Sequence, residues 1–95
     1  MTMANEAETA GITAGGLMGE KKFDEALKYL SDYLAGHPNS QNAWRIWSMI
    51  GDAYAAKGDA AKARESFDKA MAGAHDAAER EEVQDSFNAM GAEMK

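Results

Sequence analysis

Apolar residues recur along this chain at intervals of three and four positions, which is the spacing of one face of an α-helix. Between residues 20 and 35 such a stripe runs without a break. Gly36, His37 and Pro38 follow it, and this combination ends helices because proline cannot continue one. Alternating apolar and polar residues, the pattern of a strand, do not persist anywhere in the sequence. The chain is therefore predicted to be all-α.

The middle of the chain repeats the same pattern twice. Residues 44–57 and the stretch that begins at residue 60 each carry one apolar face, and Asn39 or Ser40 can cap the first of these two helices. Gly58-Asp59 forms the turn between them, with Asp59 as the N-cap of the second helix, which ends at Gly73. This arrangement predicts a helical hairpin.

The two ends of the chain give signals of unequal strength. At the C-terminal end Asp76 can cap a last helix, whose apolar residues lie on one stripe: Val83, Phe87, Met90 and Met94. Residues 7–19 contain four glycines, each of which costs a helix about 1 kcal/mol relative to alanine, so taken alone this stretch is typical of a loop.

A repeat favours a helix at residues 7–19. At a shift of 37 residues Ala26 falls on Ala63, Leu30 on Phe67, and Tyr33 on Ala70. The second copy resembles the tetratricopeptide repeat in seven of eight signature positions, if the pair Ile50-Gly51 counts as one. The matching positions are Trp47, Ile50-Gly51, Tyr54, Gly58, Ala63, Phe67 and Ala70. His75 stands where that family usually has proline, and three extra residues separate the copies near positions 39–42.

The resemblance covers residues 7–77 and implies a fold. It implies antiparallel helical hairpins stacked as a short right-handed solenoid of about five helices in a single domain, residues 1–95. Residues 7–38 would form a first, degenerate repeat, 44–75 the second repeat, and 76–95 a capping helix. In physical terms, Gly51 and Ala63 would let two helices approach closely, while Phe67 and Ala70 would dock against the next helix.

Charge argues against nucleic acid as a partner. Sixteen acids against ten bases give a net charge of −6, whereas a nucleic-acid binder needs a basic face. The excess is concentrated in residues 76–95, where six acids face two bases. This cluster is typical of a solvated helix face, and the alternative is an attractor for a basic partner.

Residues that carry catalytic or metal chemistry are scarce. The chain has no cysteine, which excludes disulfides and thiolate sites and fits a reducing cytoplasm. His37 and His75 lack the spacing of metal motifs, and no phosphate-binding glycine loop occurs. No apolar run is long enough for a membrane span, and the first ten residues lack the basic start of a secretory signal. We expect no enzyme, no cofactor, no metal and no membrane partner, and we expect the methionines to fill the core.

In the family that this chain resembles, the first helix of each hairpin lines a concave groove. Candidate partner-binding residues at those places are Gly11, Gly15, Met18, Gly19, Arg45, Ser48 and Asp52. Trp44 on the same helix is a further candidate, as an apolar anchor. Family members that bind the carboxylate tail of chaperones have several cationic and amide side chains there. Arg45 is the only cation at these places in this chain, so that role is not expected.

Two of these assignments have structural alternatives. Gly11, Gly15 and Gly19 share one helical face, which would either seat a partner's backbone or serve tight packing within the chain. Trp44 would either pack against the first hairpin or stand exposed as an anchor for a partner. The leading hypothesis is a non-catalytic adaptor that binds a peptide or protein segment on its concave face. The alternative is self-association, as a homodimer, through the terminal helices.

Overall fold

Five helices follow one another in the part of the chain that the computed structural model describes, residues 6–37 and 43–93. They are α1 (Glu6–Gly19), α2 (Phe23–Gly36), α3 (Ala43–Ala56), α4 (Ala60–Gly73) and α5 (Ala77–Glu93). The all-α prediction is confirmed, including the glycine-rich first helix. The proposed caps at Asn39 and Ser40 lie outside the described residues.

The two hairpins have the same helix lengths and the same spacing. Helix α3 spans 43–56 where α1 spans 6–19, and α4 spans 60–73 where α2 spans 23–36, so every bound moves by 37 residues. This is the shift at which the two sequence copies superimpose.

The turn inside each hairpin is closed in the same way. The N–H of Lys22 donates to the carbonyl of Leu17 at 2.8 Å, and the N–H of Asp59 donates to the carbonyl of Tyr54 at 2.9 Å. Each turn needs one residue with positive φ, the left-handed conformation that glycine adopts most easily. Gly58 (φ 86°) fills this place in the second turn, but Lys21 (φ 64°) fills it in the first.

The first turn corrects one predicted boundary. The apolar stripe suggested a helix from residue 20, whereas α2 begins at Phe23. Residues 20–22 form the turn instead, because a residue with positive φ at Lys21 cannot belong to a right-handed helix.

Glycine in place of Lys21 is expected to stabilise the protein. A non-glycine residue in the left-handed region lowers the stability of the folded state by about 1–2 kcal/mol. Glycine removes this cost, but its greater flexibility in the unfolded chain offsets part of the gain. We expect Lys21→Gly to raise the free energy of unfolding by about 0.5–1 kcal/mol in urea titration. Gly58→Ala, at the equivalent position, should lower it by a similar amount. A Lys21→Gly variant that is less stable than the wild type would contradict this account of the turn.

The core consists of two clusters on either side of α3. The first lies between α1, α2 and α3 and contains Ala14, Ala26, Leu27, Leu30, Ile46, Ile50 and Ala53. The second lies between α3, α4 and α5 and contains Trp44, Ala63, Phe67, Ala70 and Val83. Trp47 and Tyr54 pack against both clusters, so they connect the two hairpins through α3.

Helices α3 and α4 come close together at Gly51, as its place in the repeat predicts. A Cβ atom built on Gly51 would lie 2.9 Å from three atoms of the Phe67 ring, closer than real side chains come. The absence of a side chain at Gly51 therefore lets the ring of Phe67 lie directly on the backbone of α3.

Helix α5 closes the open side of the second hairpin. Val83 is fully buried, and the ring of Phe87 meets the ring of Phe67 edge-on with centroids 5.7 Å apart. Asp76 caps the helix, as predicted, by accepting a hydrogen bond from the N–H of Glu79 at 2.9 Å. The other two residues of the predicted stripe, Met90 and Met94, have side chains outside the described part.

An ion pair joins the start of α2 to the end of α3. The ammonium of Lys57 donates a hydrogen bond to the carboxylate of Asp24, and this bond raises the pKa of Lys57 above its ordinary value. Because the pKa is raised in the folded state, the stabilisation is complete at neutral pH. It is lost as the pH rises through the raised pKa.

Candidate protein-binding groove

Helix α3 is the first helix of the second hairpin, as α1 is of the first, and α5 follows the second hairpin. It contacts both α1 and α5. Met49 of α3 lies against Gly11 of α1 and also lines a pocket with residues of α5, so the two contacts are neighbours on α3. A groove of about 240 Å³ lies between α3 and α5. We call it the α3–α5 groove, and its lining residues are Trp44, Arg45, Ser48, Met49, Asp52, Glu82 and Ser86. Four of the eight predicted site residues therefore come together in one place.

Arg45 spans the α3–α5 groove. Its Nη2 lies 3.7 Å from Oε2 of Glu82, and the two side chains keep 49% and 59% of their surface exposed. The guanidinium carbon also lies 5.0 Å from the ring centroid of Trp44. An exposed ion pair of this kind contributes little to the stability of the fold. Arg45 and Glu82 can therefore separate and each bind a group of a partner instead.

Two further polar residues of α3, Ser48 and Asp52, line the groove beside Arg45. Ser48 is buried at the base, and Asp52 is half-buried one turn further along α3. Together with Glu82 this makes two carboxylates against one guanidinium, that of Arg45. Such a groove is suited to polar and positively charged groups, with the thioether of Met49 as its apolar contact.

Trp44 does not form an exposed anchor, which corrects that alternative. Only 3% of its surface is accessible, because its ring lies in the second core cluster with Ala63, Phe67, Ala70 and Val83. The other alternative is right about burial but wrong about the neighbours, since Trp44 packs against α4 and α5 instead of the first hairpin. Its indole N–H has no acceptor among the described residues. Trp44 is therefore part of the groove's inner wall.

The glycines of α1 separate into two groups. A Cβ built on Gly11 would lie 3.4 Å from the sulfur of Met49, so Gly11 lies where α1 meets α3. Gly15 and Gly19 are exposed and would have no described atom within 4 Å of such a Cβ. Tight packing inside the chain therefore explains Gly11 and does not explain Gly15 and Gly19. Met18, the apolar candidate on this helix, is half-buried against the first core cluster.

Sequence reasoning missed three residues of the groove, which are Met49, Glu82 and Ser86. The last two lie on α5, which was predicted to be a cap or, alternatively, a self-association interface, and Glu82 was considered only as one of the clustered acids. A signal was present, because Glu82 and Ser86 stand 37 residues after Arg45 and Met49. The repeat shift thus continues into α5, which occupies the place of the first helix of a third repeat.

A fold of stacked helical hairpins with a polar groove along its first helices defines a helical-repeat protein. The family model for the tetratricopeptide repeat-like domain matches residues 13–92, and the chain belongs to this family. Domains of this family are generally protein-interaction modules and are typically non-catalytic. The comparisons with curated proteins and with solved structures found no significant match.

The described residues include neither a membrane-spanning helix nor a metal-binding cluster. No helix there is both long enough and apolar enough to cross a membrane. Histidine, aspartate and glutamate side chains in the same part of the chain form no group of three that could hold a metal ion.

Proposed function

We propose that this protein is a non-catalytic adaptor that binds a peptide or protein segment in the α3–α5 groove. The observation that carries the proposal is the convergence of Arg45, Ser48 and Asp52 with Glu82 of α5 around one groove. The family supports it, because its members generally act by binding proteins. We also propose that the protein is cytoplasmic, that it is not an enzyme and that it does not bind nucleic acid.

The charges of the groove indicate the chemistry of the partner. A segment with a basic side chain would pair with Asp52 and Glu82, while a carboxylate or backbone carbonyl of the same segment would accept from Arg45. The net charge of −6 on the chain would also draw a basic partner toward it. We therefore propose a polar segment that carries at least one lysine or arginine.

Charge reversal in the groove is expected to abolish binding without unfolding the protein. Arg45→Glu combined with Asp52→Lys should reduce the capture of a partner from the host lysate about tenfold or more, since each misplaced charge is worth several kcal/mol at an interface. Helical content by circular dichroism should stay unchanged, because the Arg45 side chain is 49% exposed and Asp52 is not fully buried. Undiminished capture of the same partner would refute the groove.

A charge swap separates recognition from internal structure. Arg45→Glu with Glu82→Arg restores an ion pair across the groove and keeps the net charge, but it reverses the polarity. If the pair matters only for the fold, the swapped variant binds as the wild type does. We expect it to bind as poorly as Arg45→Glu alone.

Gly15→Ala distinguishes a binding role for α1 from a neutral one. The methyl group has open space, so it should raise the free energy of unfolding by about 0.5–1 kcal/mol through helix propensity. If a partner's backbone approaches α1 at this point, the same methyl group should weaken capture. Gly16→Ala, also in open space, is the matched control for stability. Equal capture by both variants and the wild type would leave α1 outside the partner site.

Self-association is a second candidate that one observation favours. Ile12 on α1 is 71% exposed, beside the open surface of Gly15 and Gly16. The described part of the α5 stripe is covered within the chain, since Val83 is buried and Phe87 meets Phe67. A homodimer would therefore form through α1 and not through α5.

Light scattering over a hundredfold dilution tests the dimer. A homodimer through α1 predicts a molar mass that falls from twice 10.2 kDa toward 10.2 kDa, and an Ile12→Lys variant that is monomeric throughout. A monomer at every concentration would exclude this candidate and leave the adaptor proposal untouched.

A further inference from the structure

A second cleft lies on the side of α3 that faces away from the α3–α5 groove. Its floor is formed by Trp47, Ile50 and Tyr54 of α3, which at 100° per residue lie opposite Arg45 and Ser48. The cleft has a volume of about 320 Å³. It is open because, within the described residues, no Cα atom of α2 lies within 8 Å of one of α4. We call it the α2–α4 cleft.

Two lysines of α4 lie over the aromatic floor in matched pairs. The ammonium of Lys69 is 4.5 Å from the ring centroid of Trp47, and that of Lys62 is 5.5 Å from the centroid of Tyr54. The two lysines are seven residues apart on α4, and the two rings are seven residues apart on α3. Because α3 and α4 run antiparallel, the second lysine–ring pair lies two helical turns from the first and has the same arrangement. Two turns of helix separate the ammonium groups by about 10 Å along α4.

The cleft has the opposite charge balance to the chain as a whole. Its lining includes two ammonium groups and one carboxylate, that of Glu65, whose Oε1 is 3.7 Å from Nζ of Lys69. The charged groups in the lining therefore sum to +1, on a chain that carries −6. Among the residues that line the cleft, no carboxylate is paired with Lys62 as Glu65 is with Lys69. Ser31 contributes a hydroxyl group from α2.

We propose that the α2–α4 cleft binds an acidic peptide segment with two carboxylates about 10 Å apart and apolar side chains between them. The carboxylates pair with Lys62 and Lys69, whose positions over the rings are already restricted by cation–π attraction. The apolar side chains lie on Trp47 and Ile50. A cleft of this volume takes a few side chains, so the segment lies along the opening as one face of an amphipathic helix.

This binding is independent of the α3–α5 groove. The two lining sets share no residue, and the groove favours a basic segment whereas the cleft favours an acidic one. A protein with both surfaces can hold two segments of opposite charge at once. Failure of either proposal leaves the other standing, because each has its own variants.

Three synthetic peptides test the cleft on the full chain. The first is a fluorescein-labelled, alanine-based helix of about 15 residues, four turns long, with two glutamates seven apart and leucines between them. The second has lysines in place of the glutamates, and the third has serines in place of the leucines. Fluorescence anisotropy should show saturable binding of the first peptide only. The indole N–H signal of Trp47 should shift on binding, while that of the buried Trp44 stays in place.

Charge variants locate the binding. Lys62→Glu with Lys69→Glu should weaken the first peptide about tenfold or more, because both carboxylates lose their partners. Lys22→Glu with Arg80→Glu makes the same change in net charge away from the cleft and should leave the affinity within about twofold. The proposal is overturned if the first peptide does not bind, if the serine peptide binds as well as it does, or if both double variants weaken binding equally.

Discussion

Replacing Phe67 by alanine is expected to lower the free energy of unfolding by about 3–5 kcal/mol, the usual cost of deleting a buried phenylalanine ring. The ring is 1% exposed and packs against the backbone at Gly51 and the ring of Phe87. Its loss leaves a cavity between α3, α4 and α5. Since the total free energy of unfolding of a small domain is about 5–15 kcal/mol, the variant should be marginally folded at room temperature.

Urea titration followed by circular dichroism measures this loss. Ile12→Ala is the control, because it removes a large apolar side chain from an exposed position and should change stability by less than about 0.5 kcal/mol. A loss below about 1 kcal/mol for Phe67→Ala would mean that α4 and α5 are not held on α3 by this ring.

Alanine at Gly51 is expected to destabilise the protein by about 1–3 kcal/mol, although alanine favours helices over glycine. The new methyl group would meet the Phe67 ring at 2.9 Å, so the ring or α4 would have to move. The identical substitution at Gly15 adds a methyl group in open space and stabilises. The two glycine substitutions therefore have opposite signs in the same assay.

A double variant tests whether contact with Phe67 is the cause. Phe67→Leu shortens the side chain that the new methyl group would meet, so Gly51→Ala should cost less in that background than in the wild type. An equal cost in both backgrounds, or a stabilising Gly51→Ala, would show that α3 and α4 are not in such close contact at Gly51.

The helices and their order could be predicted because the local signals agree with one another. Asp59 and Asp76 cap as their residue types indicate, and Gly51 lies where the repeat requires a missing side chain. The helix at residues 7–19 was predictable only from the repeat, since its four glycines argue against it locally. Its end at Gly19 depends on Lys21, whose positive φ no composition signal indicates.

The candidate site was predictable in part, and the reason lies in α3. This helix is covered on two sides, so one spacing pattern cannot say which side a given residue faces. Trp44 and Trp47 are three residues apart, yet Trp44 belongs to the second cluster alone, whereas Trp47 packs against both. Glu82 and Ser86 were not predicted because they lie off the apolar stripe of α5, and the spacing of residues within α5 does not show that its polar face borders α3.

The most direct test of the adaptor account is the footprint of the captured partner on the isotope-labelled protein. Chemical-shift mapping of the complex should show the largest changes at residues 45–52 and 82–86, the two walls of the α3–α5 groove. The methyl signal of Met49 should move with them, and the same partner should leave the Arg45→Glu, Glu82→Arg variant unperturbed. Changes confined to α2 and α4, with the groove signals in place, would contradict the account.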